Sequence, residues 1–237
     1  MKNHIFGLIY LILVLLFNSC SESKMKSKQT ENNIVDELYE NQNLRVQIKF
    51  LKEKTAIEVK KVNEQIFENQ KLTNENRVTR LGDSLIFDFS NKRNQIYINV
   101  NRTEPKIYWE DFIFKGQIGD SKYWEILYGQ YNCCSYSILL NSETGDTLNA
   151  IGSTFKSPSG KYLLSLSYSP NDSLIFNGFE IFKKYSPNYK RLGRFRTTNW
   201  SPYAFSWKND NELILETKNS KNIKGEFRYA KMIIQEK

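Results

Sequence analysis

Apolar and polar positions alternate along most of the chain after residue 80, in short runs separated by turn residues. Residues 85–89 and 96–100 are two such runs, and the Pro-Ser-Gly of 158–160 is a turn signal. Many short strands with frequent turns are typical of an all-β sandwich, barrel or propeller. The pattern therefore predicts a mainly β domain over 81–237, with antiparallel meander sheets in a propeller-like or sandwich arrangement. The predicted strands are 85–89, 96–100, 107–114, 122–128, 135–140, 146–151, 161–168, 174–182, 203–207, 212–217 and 226–234.

The segment 33–80 allows two interpretations. Leu44, Ile48 and Leu51 recur three or four residues apart, as on one face of a helix, and the segment contains no Gly or Pro. Leu44, Val46 and Ile48 also alternate, as on a strand. The long stretch without turn residues favours a helical or mixed stalk-like segment, and a pair of strands is the alternative.

The first twenty residues have the features of an export signal. Lys2 is followed by an almost purely apolar run over 5–17, which is shorter than the roughly 20 residues that span a bilayer. The Leu-Phe-Asn-Ser-Cys of 16–20 resembles the lipobox of bacterial lipoproteins, in the looser form of Bacteroidota-type bacteria. That resemblance implies a lipoprotein signal peptide over 1–19 and a lipid, with fatty acids such as palmitate, on Cys20.

The same resemblance implies a place in the cell. The polar residues 20–32 are expected to form a flexible tether that holds the protein to a membrane of the cell envelope, the outer membrane rather than the inner. An uncleaved membrane anchor and a signal cut elsewhere are the alternatives. The chain carries a net charge of +8, which in the envelope indicates a solvated basic surface or an anionic envelope partner rather than nucleic acid.

A broader family resemblance covers 84–217. It is carried by the Tyr-Trp-Glu-Ile of 123–126, by the strand-and-turn units over 136–145 and 155–164, and by the Trp-Ser-Pro of 200–202 followed by Trp207. These segments resemble a group of uncharacterised Bacteroidota-type lipoproteins with a propeller-like β-region. The resemblance implies a fold but no activity, so an envelope protein or glycan is expected as the partner of a non-enzymatic binding module.

Histidine chemistry is excluded from the exported part of the chain, because the one histidine is His4, inside the signal. This removes Ser-His-Asp and Cys-His catalysis and histidine-ligated zinc. Metal binding by carboxylates stays open, but the sequence contains no loop of the EF-hand kind, so no metal, cofactor or catalytic residue is predicted. A carboxylate-based envelope hydrolase and a structural or assembly lipoprotein are the alternatives to a binding module.

Four aromatic residues are candidates for a ligand platform: Trp124, Trp200, Tyr203 and Trp207. Aromatic side chains of this kind bind sugars and peptides when they are exposed. They also close β-cores, and the Pro turn between Trp200 and Trp207 suits a structural corner. The core interpretation is favoured, because Trp and Tyr dominate buried area.

Cys133 and Cys134 are adjacent in the sequence. An oxidising compartment favours a disulfide between them. A vicinal disulfide requires a distorted turn, however, whereas neighbours on a regular strand point to opposite faces. Two free thiols in a strand are therefore favoured over a vicinal disulfide.

Two sets of charged residues are further candidates for a functional site. Glu110, Asp111 and Glu125 are the acids that a carboxylate hydrolase would use, although ordinary surface acids have the same spacing. A basic patch around Gly193, which is either a phosphate-binding surface or a solvated turn between strands, consists of Lys190, Arg191, Arg194 and Arg196.

Overall fold

The computed structural model describes nine ranges of the chain: 25–28, 36–51, 60–61, 77–89, 93–101, 109–130, 134–169, 175–219 and 227–237. Within them the fold is mainly β and contains no α-helix, and so no helix that is long and apolar enough to cross a bilayer. The strands are β1 (Met25–Lys28), β2 (Asp36–Glu40), β3 (Leu44–Phe50), β4 (Lys60–Lys61), β5 (Val78–Leu81), β6 (Ser84–Phe87), β7 (Gln95–Ile98), β8 (Val100–Asn101), β9 (Trp109–Gln117), β10 (Tyr123–Gln130), β11 (Cys134–Asn141), β12 (Thr147–Ala150), β13 (Ser153–Lys156), β14 (Tyr162–Ser167), β15 (Gly178–Tyr185), β16 (Asn188–Arg196), β17 (Trp200–Asn209), β18 (Glu212–Asn219) and β19 (Phe227–Glu236).

The strands form four antiparallel sheets, which confirms the predicted mainly β class. A three-stranded sheet has the order β5-β6-β7, a five-stranded sheet β12-β11-β10-β9-β8, and a four-stranded sheet β13-β14-β15-β16. The seven-stranded sheet has the order β1-β2-β3-β19-β18-β17-β4, so it joins strands from both ends of the chain. The described parts of the four sheets do not form a closed propeller.

The helical segment predicted over 33–80 is wrong where the structure describes it. β3 pairs with β19, with Ile48 opposite Met232. Leu44, Val46 and Ile48 are fully buried, and Arg45 between them is exposed. The period of two decides the structure here because every second side chain packs against a core made by distant strands. Residues 33–35, 52–59 and 62–76 of this segment lie outside the described residues.

Three hydrophobic clusters hold the sheets together in a series. One cluster lies between the three- and five-stranded sheets and includes Phe87 and Trp124. A second lies between the five- and four-stranded sheets and includes Leu139 and Phe182. The largest lies between the four- and seven-stranded sheets and includes Phe195. The four-stranded sheet is thus covered on both faces.

The sequence of strand β14 fits a sheet that is buried on both faces. All six of its residues are buried, which requires small or apolar side chains at successive positions rather than at alternate ones. Its sequence, Tyr-Leu-Leu-Ser-Leu-Ser, meets that requirement. The edge strand β16 of the same sheet instead carries the charges, and it positions the candidate site.

Candidate functional site

The basic patch lies on β16, the edge strand of the four-stranded sheet. Lys190, Arg191, Arg194 and Arg196 are all exposed there, so the structure brings the four predicted residues together on one strand rather than on a turn. Charged side chains on an edge strand also block pairing with another chain, because the edge has unpaired backbone groups.

Two of these arginines are held by a buried acid that the sequence analysis missed. Glu180 on β15 is completely buried. Its Oε1 accepts a hydrogen bond from the Nε of Arg194 at 2.6 Å and forms an ion pair with the Nε of Arg191 at 2.8 Å. Its Oε2 accepts a hydrogen bond from the backbone N–H of Ile151 at 2.8 Å. The arginine side chains remain 42% exposed. Glu180 therefore fixes two guanidinium groups in position while leaving them open to solvent.

The sequence contained a signal for Glu180. The residue interrupts the apolar run Gly-Phe-Glu-Ile-Phe of β15, whose first five residues are all buried. A charge at such a position must be paired to be tolerated in the interior. The cross-strand register confirms the pairing, because Glu180 lies directly opposite Arg194.

Aromatic rings accompany the cations on this surface. The guanidinium carbons of Arg194 and Arg196 lie 5.4 and 4.8 Å from the ring centre of Phe176. The ammonium groups of Lys183 and Lys190 lie 5.3 and 5.6 Å from the ring centre of Tyr185. Cations at these distances are attracted to the ring faces. We call the surface formed by β16, Phe176 and Tyr185 the cationic edge.

The cationic edge carries a strong excess of positive charge. Among the described residues from 153 to 196, Glu180 is the sole acid. Lys183 forms an ion pair with Glu236 of the seven-stranded sheet, whereas Lys190 and Arg196 form no ion pair with any described acid. The edge presents two guanidinium groups held by Glu180 and, further along β16, the ammonium group of Lys190. Such a set can bind phosphate or carboxylate groups.

The four aromatic residues of the predicted platform do not share one surface. Trp124 is buried between the three- and five-stranded sheets, and Trp200 is buried in the largest cluster. Tyr203 is partly exposed and lies 5.4 Å from Tyr168, measured between ring centres. Trp207 is partly buried against the largest cluster, and its indole N–H has no hydrogen-bond partner in the described structure.

The three acids of the predicted hydrolase are also separated. Glu125 lies opposite Gly116 and Glu110 lies opposite Gln130, with Asp111 next to it. Five strand positions therefore separate Glu110 from Glu125, a distance of roughly 17 Å along the strand. The paired carboxylates of glycosidases lie about 5–9.5 Å apart, so these acids do not form such a pair.

Glu125 has a distinct environment between the five- and four-stranded sheets. Its Oε1 accepts hydrogen bonds from the Oγ of Ser137 at 2.8 Å and from the backbone N–H of Thr154 at 2.9 Å. Burial raises the pKa of Glu125 to about 7, against the opposing effects of these hydrogen bonds and of Lys115. Glu125 and Glu180 together bind the backbone that crosses from β12 to β13, at Thr154 and Ile151 respectively.

Replacing Glu125 by glutamine is expected to reduce the pH dependence of stability. The pKa of Glu125 is raised in the folded state, so the protonated side chain stabilises the fold at pH values below the unfolded-state pKa. This stabilisation, roughly 3 kcal/mol in total, is lost as the pH rises to about 7. Urea unfolding at about pH 5 and about pH 8 measures this loss. Glu125→Gln keeps an oxygen acceptor for Ser137 and Thr154, so the variant should gain stability over the wild type at the higher pH.

The control for this prediction is Glu143→Gln, which changes an exposed acid in the turn between β11 and β12 that forms a surface ion pair with Lys122. It should leave the pH dependence unchanged. An identical pH dependence for wild type and Glu125→Gln would show that Glu125 does not titrate in this range.

The remaining predicted site residues lie at the limits of the described structure. Cys20 and Cys133 are outside the described residues, and Cys134 is known only as the first residue of β11, so the two free thiols and their alternative, the vicinal disulfide, stay predictions. No group of three or more His, Cys, Asp or Glu residues in the described ranges is arranged to hold a metal ion.

Comparison with known proteins returned no match, whether to family models, to curated proteins or to solved structures.

Proposed function

We propose that the chain is a lipid-anchored lipoprotein of the cell envelope, and that its β-region is a non-enzymatic binding module for an acidic partner. The observation that carries the proposal is the cationic edge, where four exposed cations lie along the edge strand β16 and two aromatic rings lie beside them. The partner is an envelope component with phosphate or carboxylate groups, such as a glycan or a protein. The binding requires no metal or cofactor.

The proposed location follows from the first twenty residues. The apolar run that stops just before Cys20, and the small Ser19 in front of it, support cleavage and lipid attachment at that position. Several acyl chains together provide stable membrane anchoring. In the envelope the polyanions that a cationic surface meets are glycans and lipid headgroups, and the outer membrane is the proposed site.

A propeller-like arrangement is the finer proposal for the fold. Its support is the succession of antiparallel meanders along the chain, each packed on the next through its own apolar cluster. The pairing of β3 with β19 supports the same proposal. It places strands from both ends of the chain in the seven-stranded sheet, and propellers join their chain ends in this way.

Removing Lys190 and Arg196, the two cations of β16 that form no ion pair with a described acid, is expected to weaken polyanion binding. The double variant Lys190→Gln/Arg196→Gln should bind alginate, used as a soluble polyanion, about tenfold or more weakly than the wild type, since each charge near an anionic surface contributes about 1 kcal/mol. Titration of the full-length protein in non-ionic detergent, followed by tryptophan fluorescence or calorimetry, measures the change. The binding should also weaken with added salt.

The matched control is Lys208→Gln/Arg228→Gln, which removes the same charge from exposed positions on the seven-stranded sheet. Equal losses in the two double variants would assign the binding to net charge alone and would remove the cationic edge from the proposal. Neutral dextran should show no binding to any of the proteins.

Replacing Cys20 by serine is expected to abolish lipid attachment and to release the protein from membranes. The β-region should stay folded, because strands β2 to β19 all follow residue 35. Incorporation of radiolabelled palmitate and membrane fractionation of the host cells measure the two effects. An unlabelled wild type would refute the anchor.

A further inference from the structure

Strand β1, the described strand that follows Cys20 in the sequence, joins the seven-stranded sheet near the cationic edge. Four residues separate Cys20 from Met25, the first residue of β1. An extended chain covers at most about 3.6 Å per residue, so Met25 lies within about 18 Å of Cys20. Met25 pairs with Tyr39, at the end of β2. The anchored end of the chain therefore enters the seven-stranded sheet beside the β2–β3 turn of 41–43.

That turn packs directly on β16. The side-chain N–H of Asn41 donates a hydrogen bond to the carbonyl oxygen of Leu192 at 2.7 Å. A Cβ atom at Gly193 would lie 2.7 Å from the Nδ2 of Asn41, which shows how closely the two segments approach. Tyr39, near the end of β2, also contacts β16. Its ring centre lies 5.8 Å from that of Phe195.

The charges around this turn are also predominantly positive. Arg45 and Lys237 lie at the turn and share a single acid, Glu40. On the other side of the contact stand the exposed cations of β16, of which Lys190 and Arg196 have no acidic partner among the described residues. The fold thus places a cationic surface next to the point where the anchored segment joins the domain.

We propose that the cationic edge faces the membrane that holds the Cys20 lipid, and that it binds the phosphate groups of anionic lipid headgroups in that membrane. This inference rests on the proposed function and names its partner. Charge attraction to a membrane acts over about a Debye length, 8–10 Å. The short link confines the domain near the bilayer and so raises the effective concentration of headgroups at the edge. The guanidinium forks of Arg191 and Arg194, already oriented by Glu180, fit phosphate oxygens.

The test uses the lipidated full-length protein, reconstituted into two kinds of vesicle. One kind contains phosphatidylcholine alone, and the other contains equal parts of phosphatidylcholine and phosphatidylglycerol. An amine-reactive reagent should label Lys190 about fivefold or more slowly on the anionic vesicles than on the neutral ones. Added salt should restore the rate. The internal reference is Lys218, which lies opposite Phe227 at the far end of β19 from the turn, and its labelling should be equal on both vesicles.

A matched pair of arginine variants assigns the effect to the edge. Arg196→Gln should reduce the slowing at Lys190, because it removes one of the exposed cations of β16 and so weakens the attraction of the whole edge to the membrane, without breaking an ion pair to a described acid. Arg228→Gln, which changes an exposed arginine of β19 at the end that carries Lys218, should keep the slowing.

The outcomes separate the inference from the proposed function. Equal labelling of Lys190 on both vesicles, with the protein floating with each, would overturn the membrane contact and leave the anchor intact. Slowing by soluble alginate on neutral vesicles, without slowing on anionic vesicles, would overturn it in favour of a soluble acidic polymer. A protein that carries no lipid and floats with neither vesicle would overturn the anchor and the inference together.

Discussion

Replacing Trp200 by alanine is expected to reduce the free energy of unfolding by about 3–5 kcal/mol. The indole is buried in the largest cluster, and its ring packs against Tyr39, Phe50 and Phe179 with centre-to-centre distances of 6.5, 6.0 and 6.5 Å. Its Nε1 donates a hydrogen bond to the Oε2 of Glu37 at 2.8 Å. Truncation therefore leaves a cavity and removes one of the donors to a buried carboxylate.

Trp200→Phe separates these two contributions. Phenylalanine keeps an aromatic ring in the cluster but cannot donate to Glu37, so the loss should fall to about 1–3 kcal/mol. Urea unfolding of both variants measures the difference, provided that the free energy of unfolding depends on urea concentration with the same slope in both. A Trp200→Ala variant as stable as the wild type would contradict the core assignment and would favour an exposed platform.

Replacing Gly178 by alanine is expected to cost about 3 kcal/mol or more. The backbone at Gly178 has a φ of +147°, and an added Cβ atom would lie 2.1 Å from the carbonyl oxygen of Phe195 and 3.1 Å from the Cα of Arg196. Both contacts are to the backbone of β16, so relief requires β16 to move away from β15. The same variant should weaken alginate binding, because the cationic edge moves with the strand.

Gly82→Ala provides the matched control. Gly82 also has a positive φ, +55°, but no heavy atom lies within 4 Å of the added Cβ position. Only conformational strain is then introduced, which costs about 1 kcal/mol. The difference between the two losses in the free energy of unfolding measures the effect of the contact between β15 and β16 at Gly178. Equal losses would show that this contact is unimportant.

Strand β16 shows where the sequence pattern was insufficient. The basic patch was predicted as either a phosphate-binding surface or a solvated turn between strands, because Lys190, Arg191, Arg194 and Arg196 surround Gly193. The structure contains a register irregularity in the pairing of β15 with β16, between Ile181 and Phe182. A bulge of this kind shifts the inward positions by one residue, so a regular period could not be seen.

The aromatic residues show a different kind of ambiguity. Trp124 and Trp200 occupy the same local context, an alternating strand beside a turn, as an exposed binding aromatic would. Their burial is decided by Phe87 for one and by Tyr39 and Phe179 for the other. These neighbours are distant in the sequence, so the pattern around each tryptophan could not distinguish core from platform.

The sequence alone determined the mainly β class after residue 81, the absence of imidazole chemistry beyond His4 and the excess of positive charge. Each of these is a property of composition or of local alternation, which a strand displays wherever it is placed. The tertiary structure alone decided that β3 pairs with β19, that Glu180 is buried beneath two arginines, and that β16 is an edge. Those outcomes depend on which faces and edges distant segments cover, because burial and pairing are interactions between residues that the chain brings together only when it folds.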